Sequence, residues 1–297
     1  MNSADRRWAK RSPSFHAEIK NSRKLSKKIT PFINMEFILY LVAGAISGLL
    51  SGLFGVGGGL IIVPILTFLF VGLQFPEAHI MHLALGTSLA SIALTSISSA
   101  RAHHHRDNVN WTIVKKTTPG LVIGTLLGTL VAAQFDSSWL KIIFVVFVFS
   151  VAGQLFFNYT PGPQRQLPGQ IGISGAGALI GAVSSLVGIG GATLSVPYLV
   201  YCNTDIRSAI GTSAAIGLPI ALAGTLGYVL TGSGVEHLPK LSLGFVYLPA
   251  VAGITIASVL AAPAGVSMAQ RLPAPKLKRR FAILITIIGI AMLWDLF

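Results

Sequence analysis

Two stretches of this chain place glycines where an apolar helix pattern stops and restarts. Residues 48–66 read GLLSGLFGVGGGLIIVPIL and residues 181–199 read GAVSSLVGIGGATLSVPYL, at a constant offset of 133. Nine of the 19 aligned positions are identical, among them Gly55/Gly188, Gly57/Gly190, Gly58/Gly191 and Pro64/Pro197. Backbone amides at a helix N-terminus, with the helix dipole behind them, hold an anion without help from lysine or arginine. Glycine permits the close approach and the unusual dihedrals that such a cradle needs. Gly55, Gly57, Gly58 and Gly59 precede one helical run, and Gly188, Gly190 and Gly191 precede the other. Pro64 and Pro197 are expected to end or kink the first turns of those runs. The alternative is that the glycines only let helices cross or turn tightly.

A second repeated motif offers hydroxyls. Gly86-Thr87-Ser88 matches Gly211-Thr212-Ser213 at offset 125. The hydroxyls of Thr87, Ser88, Thr212 and Ser213 can donate to the oxygens of an oxyanion, or can bond back to their own helix backbone. Ser51 and Ser184 form a weaker pair, better suited to packing. Arg207, beside Asp205, is the basic residue nearest a repeated motif and aligns with His82; it is either an attractor for the anion or an interfacial charge. His82 and His79 are the candidates for proton coupling, since histidine is the side chain that changes charge most readily near neutral pH. His103-His104-His105 has no carboxylate or cysteine cluster beside it, so it reads as a polar loop and no metal site is expected. No cofactor is expected either. The nine acidic residues all fall in the N-terminal tail, in loops or at segment ends. The mid-membrane carboxylate of a cation relay is therefore missing, which favours an anionic or neutral solute. Cys202 is the single cysteine, so it cannot form an intramolecular disulfide.

The elements that must position these groups are apolar helices. Ten hydrophobic segments cover roughly residues 37–55, 59–72, 83–100, 113–133, 139–158, 170–187, 192–202, 208–230, 242–262 and 278–296. The short ones, 59–72 and 192–202, follow the glycine breaks and fall below the ~20 residues that span a bilayer. Backbone freed in lipid is costly, so such breaks persist only against protein or a wet cavity. Paired breaks at matching places in two halves point to a transporter's binding site. The expected organisation is a basic tail over 1–34, a first membrane repeat over 35–158, a Pro/Gly linker over 159–169 and a second repeat over 170–297. Five segments per half is an odd number, so the second copy enters from the opposite face. The fold class is thus all-α integral membrane, with two inverted five-segment repeats and broken helices. Glycine rows spaced by four (Gly44, Gly48, Gly52; Gly120, Gly124, Gly128; Gly177, Gly181) read as close helix-packing stripes.

Composition agrees. The chain has 297 residues, 53% hydrophobic and only 10% charged, with mean hydropathy +0.73, against ~25% charged residues in a soluble domain. Net charge is +13, of which the tail 1–34 carries +7 from nine Lys/Arg against Asp5 and Glu18. That tail is expected to be disordered and to meet anionic lipid. Nucleic acid is excluded because no folded binding module accompanies the charge. In a ten-crossing arrangement the basic loop residues fall mostly on one side, which becomes cytoplasmic. The tail then lies on the wrong side for its charge. This makes Met35 a candidate true or alternative start.

The two motifs GLFGVGGGLIIVP and SLVGIGGATLSVP, each followed by a Gly-Thr-Ser tripeptide, resemble the sulfite exporter TauE/SafE family of anion permeases over about residues 36–297. The tail departs from that family's compact beginning. The resemblance implies a multi-pass transporter of ten (or, as often counted, eight) segments in the cytoplasmic membrane. It would move sulfite, sulfoacetate or similar sulfur-containing or organic anions, commonly outward. The expected partners are a small anionic substrate and the lipid bilayer, with a homo-oligomer compatible. An intramembrane enzyme is disfavoured because no His, Asp or Glu falls mid-span to serve the serines. An accessory membrane subunit without transport of its own remains the alternative.

Overall fold

Short polar caps and glycines decide where the apolar runs become helices. The computed structural model describes residues 35–53, 58–157, 165–269 and 274–295. Ten helices lie in these residues: α1 Met35–Leu53, then α2 Gly59–Gly72, α3 Ile80–His104, α4 Trp111–Ala132, α5 Ser137–Phe156, α6 Gln170–Val187, α7 Ala192–Tyr201, α8 Ile206–Gly232, α9 Leu248–Ala269 and α10 Ala274–Trp294. A 3-10 turn over Glu77–His79 leads into α3. Asn110 starts α4 by accepting from the Thr112 and Ile113 amides at 3.1 and 3.2 Å. Asp205 does the same for α8 through the Arg207 and Ser208 amides. Each cap satisfies amides that have no partner inside the helix. Residues 40–297 form one compact unit; of the other, residues 1–39, only the first turn of α1 is described. The basic tail, Gly55, Gly57, the last residue of the first repeat at 158 and residues 159–164 of the linker lie outside the described residues.

Among the described residues six helices are long and apolar enough to cross a membrane: α1, α3 with its 3-10 turn, α5, α6, α8 and α9. Their outward faces are greasy, as at Leu94, Trp139, Val146, Leu179, Leu226 and Leu260, all exposed. The inside is rich in hydroxyls, with Thr87, Ser88, Ser91, Thr95, Ser96 and Ser99 of α3 all buried. That is the reverse of a water-soluble protein and suits a lipid surround. α2 and α7, at 14 and 10 residues, reach only ~21 and ~15 Å, short of the ~30 Å hydrocarbon layer.

Two expectations need correction. Pro64 and Pro197 do not end their helices; each is the sixth residue of α2 or α7 and the helix runs through it. A proline so near the start removes one backbone bond, the one to Leu60 or Thr193, and the packed helix continues. The apolar segment at 242–262 is not helical from its beginning. Residues Ser242–Leu243 and Val246–Tyr247 form a short antiparallel hairpin with Ser242 opposite Tyr247. Gly244 turns it at φ 53°, a left-handed conformation that favours glycine, and α9 begins only at Leu248.

The helices pack mainly between the two sequence halves. α3 lies against α8, with α9 also on α3 and α4 also on α8. The glycine rows form two backbone-to-backbone seams. Along α1, Gly44, Gly48 and Gly52 meet the backbones of Ile254, Ser258 and Ala262 of α9. Along α4, Gly120, Gly124 and Gly128 meet those of Ser174, Ala178 and Ala182 of α6. A side chain at any of these glycines would overlap the facing carbonyl, so close approach is the reason for them. Residue numbers rise together across both seams, so each pair of helices runs parallel.

Candidate functional site

Gly58 caps α2 at φ 75°, ψ −9°, and Gly191 caps α7 at φ 75°, ψ −11°. Their carbonyls take up matching first-turn bonds, from Ile61 and Ile62 in one helix and from Leu194 and Ser195 in the other. The positive φ excludes most other residues from both positions. Upstream of Gly191, α6 closes on Gly188 at φ 68°, with the Ile189 amide returning to the Ser184 carbonyl at 3.0 Å, a left-handed helix terminus. The two breaks touch. A side chain on Gly59 would overlap the Gly188 carbonyl and come within 2.9 Å of Ile189 Cα.

The Gly-Thr-Ser tripeptides hold this junction from across the halves. Thr87 Oγ1 accepts from the Tyr247 amide, the residue before α9, at 2.9 Å. Thr212 Oγ1 accepts from the Asn110 amide, the residue before α4, also at 2.9 Å. Gly86 and Gly211 make room for the backbones two residues earlier, at Phe245 and Asn108. Ser88 donates to the Gly188 carbonyl at 2.8 Å, and Ser213 accepts from Ser195 Oγ at 2.8 Å. An accepting hydroxyl keeps its own proton to offer, so Thr87, Thr212 and Ser213 each retain a donor.

Around the second break the polar groups are not all used. Ser184 is fully buried and its hydroxyl has no partner; it lies 3.2 Å from where a Cβ on Gly191 would stand. The Thr193 hydroxyl, on the first turn of α7, is also buried without a partner. Gly217 of α8 keeps open the space between Ser96 Oγ and the Gly190 carbonyl, 2.9 and 3.3 Å from the place of its missing Cβ. Buried hydroxyls without partners are costly, and that of Ser184 lies beside Gly191 at the start of α7.

Residues 40–292 match the family described as Sulfite exporter TauE/SafE. The chain belongs to that family. It is 36% identical to a probable membrane transporter protein of Haemophilus influenzae, over 86% of this chain and 97% of that one. It is 27% identical to a probable membrane transporter protein of Methanocaldococcus jannaschii, over 88% of this chain and 98% of the relative. No solved structure matches it. The family and its greasy-sided helices make this a multi-pass membrane transporter protein.

Within this family member, the other groups named from the sequence lie apart from the junction. Arg207 is exposed on the first turn of α8. His82 is buried, donates from Nε2 to the Ala132 carbonyl at 3.2 Å and stacks near Phe245. His103 is buried, facing the Gly52 backbone without a formed hydrogen bond, while His104 and His105 are exposed. No group of His, Cys, Asp or Glu among the described residues can hold a metal. Cys202 is buried. Ser96, Thr193, Ser195 and Gly217 were not singled out by sequence. Each is a small residue in an apolar helix, and only the fold brings Ser96 beside Gly217 and Ser195 against Ser213.

Proposed function

We propose that this chain is a secondary transporter, working as an exporter in the cytoplasmic membrane, for small sulfur-containing or organic anions such as sulfite or sulfonates. The observation that supports the reading is the contact of Gly59 with Gly188 and Ile189, which brings the α2 N-terminus against the turn that joins α6 to α7. Amides of Gly57, Gly58 and Gly59, and of Gly190 and Gly191, would face the anion, with Gly55 and Gly188 shaping the breaks. The hydroxyls of Thr87, Ser88, Thr212 and Ser213 hold the junction, and those of Thr87, Thr212 and Ser213 keep a proton to offer. Arg207 draws anions to the end of the bundle, and His82 is the group assigned to proton coupling.

The reading includes two inverted repeats. Its support is the pairing of seams: α1 with α9 and α6 with α4 are the same contact with the halves exchanged. Parallel running within each seam fits a chain of ten crossings whose second half enters from the opposite face. Alternating access then uses the short α2 and α7 as the moving parts of each half.

The test is efflux of labelled sulfite and methanesulfonate from proteoliposomes holding the purified full-length protein. Saturable efflux above protein-free vesicles is expected. Silence across sulfite, sulfonates and organic acids would leave an accessory subunit as the better description.

A further inference from the structure

We infer that the seam between α5 and α10 holds an anionic phospholipid, its headgroup phosphate on Arg279 and Arg280 and an acyl chain along the two helices below. The inference goes beyond the transport reading and does not depend on it.

α5 and α10 pack antiparallel, as three contacts along them show. Lys141 pairs with Asp295. Phe149 and Val148 pack where a side chain on Gly289 would stand. Phe156 lies under the Arg279 guanidinium, whose Cζ is 4.8 Å from the ring centroid. This last end of the seam faces outward: Phe156 is 43% exposed, Phe157 80%, and both arginines are exposed. From the arginines the exposed face of α10 continues through Ile283, Leu284, Ile287 and Ile290 to Trp294. On α5 the exposed face runs from Phe156 back past Gly153, where a Cβ would meet nothing within 4 Å, to Val146 and Ile142. The seam is thus an aliphatic strip with a cation pair at its head.

Basic residues at the end of a membrane helix can serve orientation alone, but these two sit deep. Trp294 follows Arg280 by 294 − 280 = 14 residues, or ~21 Å of helix, against ~30 Å of hydrocarbon. With the Trp294 indole at one interface, where tryptophan is favoured, the guanidinium groups start below the other. Arginine at such depth either reaches up to water or draws headgroups down to it. Arg279 is held on the Phe156 ring, which favours the second. Among the described residues the one ion pair is Lys141–Asp295, at the far end of the seam, so no described carboxylate neutralises Arg279 or Arg280. A guanidinium over an aromatic ring keeps N–H groups for a phosphate, which it binds bidentately. Charge, depth and an apolar strip below together fit a lipid headgroup with its chain.

The experiment mixes the full-length protein in detergent with equal phosphatidylglycerol and phosphatidylcholine and weighs it by native mass spectrometry. Phosphatidylglycerol is expected to stay bound under activation that strips phosphatidylcholine. Each basic residue near a membrane surface contributes about fivefold to the binding of anionic lipid. Arg279→Gln combined with Arg280→Gln should therefore cut retention at least tenfold. Lys115→Gln combined with Lys116→Gln removes the same charge from exposed positions on α4 and should leave retention within twofold. The wild-type melting temperature should rise with phosphatidylglycerol and not with glycerol phosphate, an arm that needs no variant to fold. Equal retention of the two lipids, equal losses in the two double variants, or equal stabilisation by glycerol phosphate would each overturn the inference. None of these readouts involves flux, so the transport reading stands or falls separately, on its own efflux assay.

Discussion

The Tyr228 hydroxyl donates to the Ser185 carbonyl at 3.0 Å. Ser185 lies in the last turn of α6, where helix carbonyls lack a partner of their own. Its counterpart in the first half is Gly52, in the last turn of α1, and the counterpart of Tyr228 is the buried His103 that faces Gly52. Each half thus ends the helix before its break against the far end of its own third helix. Tyr228→Phe should cost about 1–3 kcal/mol by stranding a buried acceptor. Thermal unfolding in detergent measures it, and an unchanged midpoint would show the bond to be idle.

Ser184→Ala separates stability from transport. The hydroxyl it removes has no partner, so stability should hold or rise by up to ~1 kcal/mol. If the hydroxyl serves the anion, flux falls several-fold all the same. A variant that is both less stable and fully active would contradict the assignment.

Gly86→Ala and Gly211→Ala probe the clasp. A methyl at either site meets a backbone carbonyl, at Phe245 or Asn108, which has no rotamer by which to retreat. Each should destabilise by about 1–3 kcal/mol, read as lost monodisperse yield and a lowered melting point. Gly153→Ala, where a Cβ meets nothing within 4 Å, is the control expected to be neutral or slightly stabilising.

Removing one member of the Lys141–Asp295 ion pair should not equal removing the other. Lys141 is buried while Asp295 is about a third exposed, at 11% and 36% side-chain accessibility. Asp295→Asn strands a cation away from water, whereas Lys141→Met leaves a carboxylate that water still reaches. The first should cost about 1–2 kcal/mol more than the second once solvent screening is allowed for. Equal melting points for the two variants would refute this.

Much of the framework was legible in the sequence. The glycine rows, the two breaks and the paired Gly-Thr-Ser tripeptides all recur at fixed offsets, and an offset is visible without coordinates. What the tripeptides do was not legible. Thr87 bonds the backbone of Tyr247 and Thr212 that of Asn110, and backbone partners leave no mark in side-chain identity. The hairpin before α9 was hidden because Leu243, Phe245 and Val246 read as the start of an apolar helix, with Gly244 the one hint of a turn. Pro64 and Pro197 misled because a proline's penalty depends on which carbonyl it frees, and here it frees one in the first turn.

The two glycine seams join helices from opposite halves of the chain. Neither half therefore owns a complete core: cut within 158–164, each fragment would carry bare grooves shaped for a tenant it does not contain. Two such fragments made together should find each other in the membrane, and either made alone should be degraded.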